Sequence, residues 1–173
     1  MDILDQVYES LQGFAQSTGN LNGDVERIIR RGREIWKDEV PFETLKGTME
    51  QGYEDFAEWL EQLLRAEPLP ENIIALNFGF FESEDGKQIY LSGSHVYDPF
   101  DFDWACENTY FPEGRYPNLP VFAAITNFTQ DYEAGIYLCL ATAMAYVSEY
   151  SENHALPAHI ATGFDDGDLV TIF

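Results

Sequence analysis

Residues 134–147, AGIYLCLATAMAYV, run for fourteen positions without a charged side chain. A helix that is apolar on every side has to be buried on every side. The run is also shorter than the roughly 20 residues needed to cross a bilayer. It therefore predicts a buried helix over 131–150, with Asp131 as its N-cap, and the rest of the chain must supply the layers that cover it.

Helical cover comes from the N-terminal part. Over residues 2–17, Leu4, Val7, Leu11 and Phe14 recur at spacings of three and four, which places them on one helical face. Thr18-Gly19-Asn20 breaks this helix. A second helix is expected from Asp24 as N-cap, with Val25, Ile28 and Ile29 inward and Ile35 and Trp36 further on. A third opens at Pro41, where the missing N–H costs nothing, and repeats Phe42, Leu45, Met49, Tyr53, Phe56, Leu60 and Leu63 up to Arg65.

Sheet signals follow. Ile73–Phe81 and Gln88–Tyr97 are β-branched and aromatic runs around ESEDG, which predicts a hairpin with a loop of about five residues. The end, HIATGFDDGDLVTIF, predicts a second hairpin turning at Asp165-Asp166-Gly167-Asp168. The expected fold class is α+β: amphipathic N-terminal helices and one buried C-terminal helix packed on a small antiparallel sheet built from two hairpins. With 173 residues, one globular domain (1–173) is expected, divided into a helical part (1–66), a hairpin (72–98), an acidic-aromatic loop (98–120), the buried helix (131–150) and a last hairpin (158–173).

Charge narrows the partners. The chain holds 9 Lys+Arg against 31 Asp+Glu, a formal net charge of -22. Residues 1–69 carry 7 basic and 15 acidic side chains, while 70–173 carry Lys87 and Arg115 against 16 acids. Such a polyanion repels phosphate backbones and anionic lipid, so nucleic acid and membrane surfaces are excluded as partners and a basic protein is favoured. Its own charge opposes self-association at low ionic strength, so a monomer or weak homodimer is expected. With 15% aromatic and 45% hydrophobic residues, this charge sits on a folded body rather than a disordered tail. The cationic run Arg27–Arg33, RIIRRGR, reads as a solvated face paired with neighbouring acids, the alternative being a site for an anionic ligand. Two cysteines, Cys106 and Cys139, are too few for a disulfide framework, and MDILDQVYES lacks the basic start and apolar core of a signal peptide. A cytoplasmic protein with reduced thiols is expected.

The segment Tyr97–Pro117, YDPFDFDWACENTYFPEGRYP, interleaves Asp98, Asp101, Asp103, Glu107 and Glu113 with Phe100, Phe102, Trp104, Tyr110, Phe111 and Tyr116. Rigid aromatics supply contact area and cation–π attraction, and carboxylates supply bidentate partners for arginine. We read Asp98, Phe100, Asp101, Asp103, Trp104, Glu107, Tyr110, Phe111 and Glu113 as a candidate partner-binding surface. The competing reading folds the aromatics inward as a small core and leaves the acids to solvate the loop.

Other chemistry finds little support. An EF-hand loop beginning at Asp101 would need Gly at its sixth and Glu at its twelfth position, where Cys106 and Pro112 stand. Zinc would need Cys106, Cys139, His154 and His159 to converge without any CxxC or HExxH spacing. A Cys106–His95 pair is conceivable, but Asp103 and Glu107 beside Cys106 disfavour a thiolate. There is no GxSxG elbow and no Gly-rich phosphate loop. Neither a metal, a cofactor nor an enzymatic activity is expected.

Small size, an acidic α+β body, the Tyr97–Pro117 segment and the lack of a catalytic motif together resemble the immunity proteins of bacterial toxin systems. That resemblance implies a protein that binds a cognate toxin domain, often a basic nuclease, and covers or mimics its substrate surface. Trp104, Tyr110 and Phe111 would then be anchors, with Asp98, Asp101, Asp103 and Glu107 at phosphate positions. An acidic adaptor for a basic peptide is the main alternative; a small hydrolase and an acidic solubility coat rank below it.

Overall fold

A computed structural model of the chain describes residues 2–15, 20–37 and 39–173. Its elements are α1 (Ile3–Ala15), α2 (Leu21–Trp36), a 3-10 turn (Phe42–Leu45), α3 (Lys46–Ala66), β1 (Ala75–Ser83), β2 (Gly86–Ser94), 3-10 turns at Phe102–Cys106 and Glu113–Arg115, α4 (Pro120–Phe128), α5 (Tyr132–Ser151), β3 (His159–Phe164) and β4 (Val170–Thr171). The class is α+β, and no described helix is long and apolar enough to cross a membrane.

Sixteen of the twenty residues of α5 are buried, and the helix touches α1, α2, α3, α4 and β3. Asp131 caps it, accepting from the Ala134 amide at 2.8 Å and from the Trp36 indole at 3.2 Å. Two tyrosines within the apolar run find partners on the covering helices. Tyr137 donates to the Ile28 carbonyl of α2 at 2.9 Å, and Tyr146 donates to the Met49 carbonyl of α3. A buried hydroxyl without such a partner would cost about 1–3 kcal/mol, so these bonds fix which helix faces which.

The helical entry differs in detail from the sequence reading. Asn20, not Asp24, caps α2 by accepting from Gly23 N at 2.9 Å, while Glu149 of α5 accepts from Leu21 N at 2.9 Å. Asp24 instead lies in the first turn, buried and ion-paired with Arg27 at 2.9 Å. Pro41 precedes a 3-10 turn and the α-helix proper begins at Lys46. Gln16 and Ser17, at the expected end of the first helix, and Thr18 and Gly19 of the expected break lie outside the described residues.

The sheet is mixed, in the order β2-β1-β3-β4, and not purely antiparallel. β1 pairs antiparallel with β2 and parallel with β3, and β3 pairs antiparallel with β4. The physical reason is the long connection through α4 and α5, which carries the chain back so that β3 runs beside β1 in the same direction. The first hairpin is tighter than expected. Ser83 pairs with Gly86, leaving a loop of Glu84 and Asp85. Gly86 has φ 106 and lies where a Cβ would press on Thr126 at 2.9 Å, so glycine is required there. Residues 121–130, for which the sequence pattern predicts no element, largely form α4, opened by Pro120 in its first turn.

Alternation divides β1 between two environments. Leu76, Phe78 and Phe80 face the helices with Ile89, Leu91, Ile160 and Phe164, and belong to the main core. Phe56 of α3 meets Phe78 at 5.9 Å, and Phe122 of α4 meets Phe80 edge-on at 5.0 Å. Ala75, Asn77, Gly79 and Phe81 take the opposite, outer face.

Candidate functional site

The outer face of the sheet is built from small residues. Register places Ala75 beside His159, Asn77 between Ser92 and Ala161, and Gly79 between Tyr90 and Gly163. Glycine inside a strand marks a close approach of another group. At Gly79 that group is the ring of Tyr90, which a Cβ would meet at 2.3 Å. At Gly163 it is the β3–β4 connection, with the Asp168 carbonyl at 2.8 Å from a notional Cβ.

The segment 97–117 lies over this face. Trp104 is buried against Ala75 and Ala161, and its ring meets Tyr97 edge-on at 5.5 Å. Tyr110 is buried too. Its backbone pairs with Gly93 through bonds of 2.8 and 2.9 Å, and its hydroxyl donates to the Glu67 carbonyl at 2.6 Å. Burial pushes the Tyr110 phenol up to about 12, so it stays a donor. The far end is held by Glu67 at the close of α3. Its carboxylate accepts from Glu113 N at 2.8 Å and Gly114 N at 3.0 Å, and these bonds hold its pKa below the ordinary value. Trp59 adds a bond to the Gly114 carbonyl at 2.9 Å.

The candidate residues therefore separate into two groups. Trp104 and Tyr110 are used to seat the segment on the sheet. Phe100 is 95% exposed, and Phe111 (42%), Phe102 (44%) and Tyr116 (53%) are also presented to solvent. Asp98, Asp101, Asp103, Glu107 and Glu113 are all exposed. Two of them also shape the loop: Asp98 accepts from Phe100 N at 2.8 Å, and Asp101 caps a 3-10 turn by accepting from Asp103 N at 3.0 Å. Each such bond takes one carboxylate oxygen and leaves the charge facing outward.

The two cations of 70–173 are turned onto aromatic rings. Lys87 is mostly buried, 5.2 Å from the Tyr132 ring and 3.6 Å from Glu82. The Arg115 guanidinium lies 3.7 Å from the Phe111 ring and 4.6 Å from that of Tyr116. Around the Arg27–Arg33 run, Arg31 pairs with Glu34 at 2.8 Å and Arg33 with Glu43 at 3.2 Å, as a solvated, acid-paired face would be.

Between the segment and the sheet is an open cleft of about 540 Å³, with Phe81, Tyr90, Phe111 and Tyr116 as aromatic walls and Cys106 and Asp165 at its polar side. Phe81 meets Tyr116 edge-on at 5.5 Å, and Tyr90 is 6.1 Å from Tyr116. Tyr90 reaches from β2 across Gly79 of β1 and donates to Asp165 Oδ1 at 2.6 Å. Burial, then this bond, raise the Tyr90 phenol well above its usual pKa. Sequence reasoning missed Phe81, Tyr90 and Asp165 as partners in a site. The signal available was the alternation Ala75, Gly79 with Ala161, Gly163, which leaves one sheet face too small to fill itself.

Among the described residues, no three His, Cys, Asp or Glu side chains are gathered as a metal set. Cys139 is enclosed in the core, Cys106 is exposed, His154 stacks on Tyr150 at 4.0 Å, and His159 stacks on Tyr97 at 3.8 Å. His95 shares its Nδ1 bond with Thr109.

Fold and site together define an α+β protein whose sheet carries helices on one face and an acidic-aromatic segment on the other. No protein-family model, curated protein or solved structure matches the chain.

Proposed function

We propose that this chain is a non-enzymatic binding protein of the immunity type, which neutralises a basic toxin domain in the bacterial cytoplasm by covering its cationic substrate cleft. The observation that supports this reading is the outer surface of 97–117, where exposed Phe100, Phe102 and Phe111 stand among five exposed carboxylates. A nuclease has to present positive charge to hold phosphate, and a rigid anionic surface fits the same cleft. Opposed fields speed the encounter to about 10⁸–10⁹ M⁻¹s⁻¹ at low salt. Affinity then comes from a few aromatic anchors rather than from the number of charges.

Exposure refines the anchors. Trp104 and Tyr110 hold the platform from beneath, while Phe100 and Phe111 are the side chains that a partner meets. The test is protection. If a basic toxin-like protein is encoded beside this gene, cells producing it should survive when the chain is co-expressed, and an Asp101→Asn/Asp103→Asn/Glu107→Gln variant of equal abundance should protect less. Equal protection by the variant, or no protection by the parent chain, refutes the proposal.

A further inference from the structure

Asn77 is 4% exposed and its side-chain Oδ1 has no hydrogen-bond partner among the described residues. Buried amides are otherwise bonded, and one left unpaired calls for an explanation. Asn77 lines a hollow of about 200 Å³ that shares Tyr90, Ala105, Cys106 and Asp165 with the larger aromatic cleft and adds Asp103 to its wall. This is a different observation from the exposed surface of 97–117, because it lies beneath that segment at the level of the strands.

Acceptors and negative charge predominate in this cleft. Its phenol donor, Tyr90, is already committed to Asp165 Oδ1. Besides the Asn108 amide and the Cys106 thiol, what remains are acceptors: Asp165 Oδ2, the Asp103 carboxylate and the Asn77 amide oxygen. Asp166 and Asp168 flank Asp165 and Gly167 in the adjoining turn and add negative charge. A complementary ligand must bring several N–H donors and positive charge on a flat body that lies against Phe81, Tyr90 and Tyr116. The protein supplies its own precedent, since Arg115 already rests on the rings of Phe111 and Tyr116.

We infer that the cleft beneath 97–117 is a receptor for the guanidinium group of an arginine side chain carried by a basic protein partner. This rests on the reading of the chain as a binder of a basic partner and adds the side chain that it selects. Guanidinium is planar, stacks on aromatic faces and offers five donors, whereas an ammonium is a compact, strongly hydrated charge. Arginine is therefore preferred over lysine at this site.

The test is a titration of the full chain with acetyl-Gly-Arg-Gly-amide and with its lysine counterpart, followed by the NMR signals of the Asn77 side-chain amide and the Tyr90 ring. Saturable shifts at both are expected with the arginine peptide, with affinity at least about fivefold above that of the lysine peptide. Asp165→Asn keeps an oxygen to accept from Tyr90 but removes the charge, and should weaken the arginine peptide by about tenfold. Tyr116→Ala, at an exposed position, should weaken it as well. Equal binding of both peptides, no shift at Asn77, or indifference to both substitutions overturns the inference. Tight, salt-sensitive binding of the basic protein with no arginine-peptide binding removes the arginine receptor and leaves the binding role. Arginine-peptide binding at Asn77 without any protein partner upholds the receptor and removes the immunity reading.

Discussion

The ring of Tyr90 fills the space that a side chain at Gly79 would occupy. The two residues face each other across the β1–β2 pair, and a Cβ on Gly79 would lie 2.3 Å from the ring. From there the phenol reaches Asp165 in the β3–β4 turn, so one side chain spans the sheet from edge strand to turn. Glycine at 79 and alanine or glycine at 75, 161 and 163 make the face shallow enough for the 97–117 segment to lie on it.

Gly79→Ala should therefore drive Tyr90 out of place and cost about 1–3 kcal/mol, the usual range for overpacking. Urea unfolding reads the loss. In a double-mutant cycle, Gly79→Ala in a Tyr90→Ala background should cost clearly less than in the parent chain. Additive effects would show that the ring is not the obstacle.

Tyr90→Phe keeps the ring and removes only the bond to Asp165. A loss of about 0.5–1.5 kcal/mol is expected, typical of a single hydrogen bond. Urea unfolding reads the loss, and circular dichroism in the amide region should be unchanged, because the ring contacts with Phe81 and Tyr116 remain.

Glu67 ties the close of α3 to the end of the acidic segment and carries a pKa lowered by the Gly114 and Glu113 amides. A lowered folded-state value means that its contribution is complete above the pKa of an unfolded glutamate. It is lost as pH falls through the lower, folded-state value. Hydrogen exchange at Glu113 and Gly114 should then become fast relative to the intrinsic rate on acidification in the parent chain, seen as falling protection factors while the intrinsic rate itself slows. Glu67→Ala should show the fast exchange already at neutral pH. Unchanged protection in that variant would contradict the tether.

The two thiols should separate cleanly in reactivity. Cys139 is fully buried, and burial pushes its thiol up to about 12, while Cys106 is exposed at the cleft. A thiol-specific dye should label one cysteine in the native protein and both in denaturant. Mass mapping should assign the native label to Cys106.

Much of this arrangement was legible from local patterns. The uncharged run of α5 required cover on all sides, and Val7, Leu11, Ile28 and Leu60 at helical spacing are buried where that cover is needed. The direction of β3 was not legible, because hydrophobic alternation reports which face a strand buries and not which neighbour it pairs with. The cap of α2 is only partly legible: Asn20 and Asp24 are both good N-cap residues, and in the fold Asn20 caps while Asp24 is buried against Arg27. Within 97–117 the sequence posed inward and outward readings as alternatives, whereas Trp104 and Tyr110 turn inward and Phe100 and Phe111 outward. An irregular segment has no period from which to assign its faces. The cleft was invisible for a different reason: Asn77, Tyr90, Cys106 and Asp165 come from four separate stretches of chain.

The most direct test of the binding surface is the affinity for a basic toxin domain, sought first among the products of neighbouring genes and measured by calorimetry across a salt series. The parent chain is compared with Asp101→Asn/Asp103→Asn/Glu107→Gln and with Phe100→Ala. Asparagine at 101 can still cap the 3-10 turn through its amide oxygen, so the amide variant removes charge without removing that bond. The account predicts tight binding by the parent, a shallower salt dependence in the amide variant, and weakened binding with an unchanged salt slope in Phe100→Ala. Identical affinity and slope in all three proteins would contradict it.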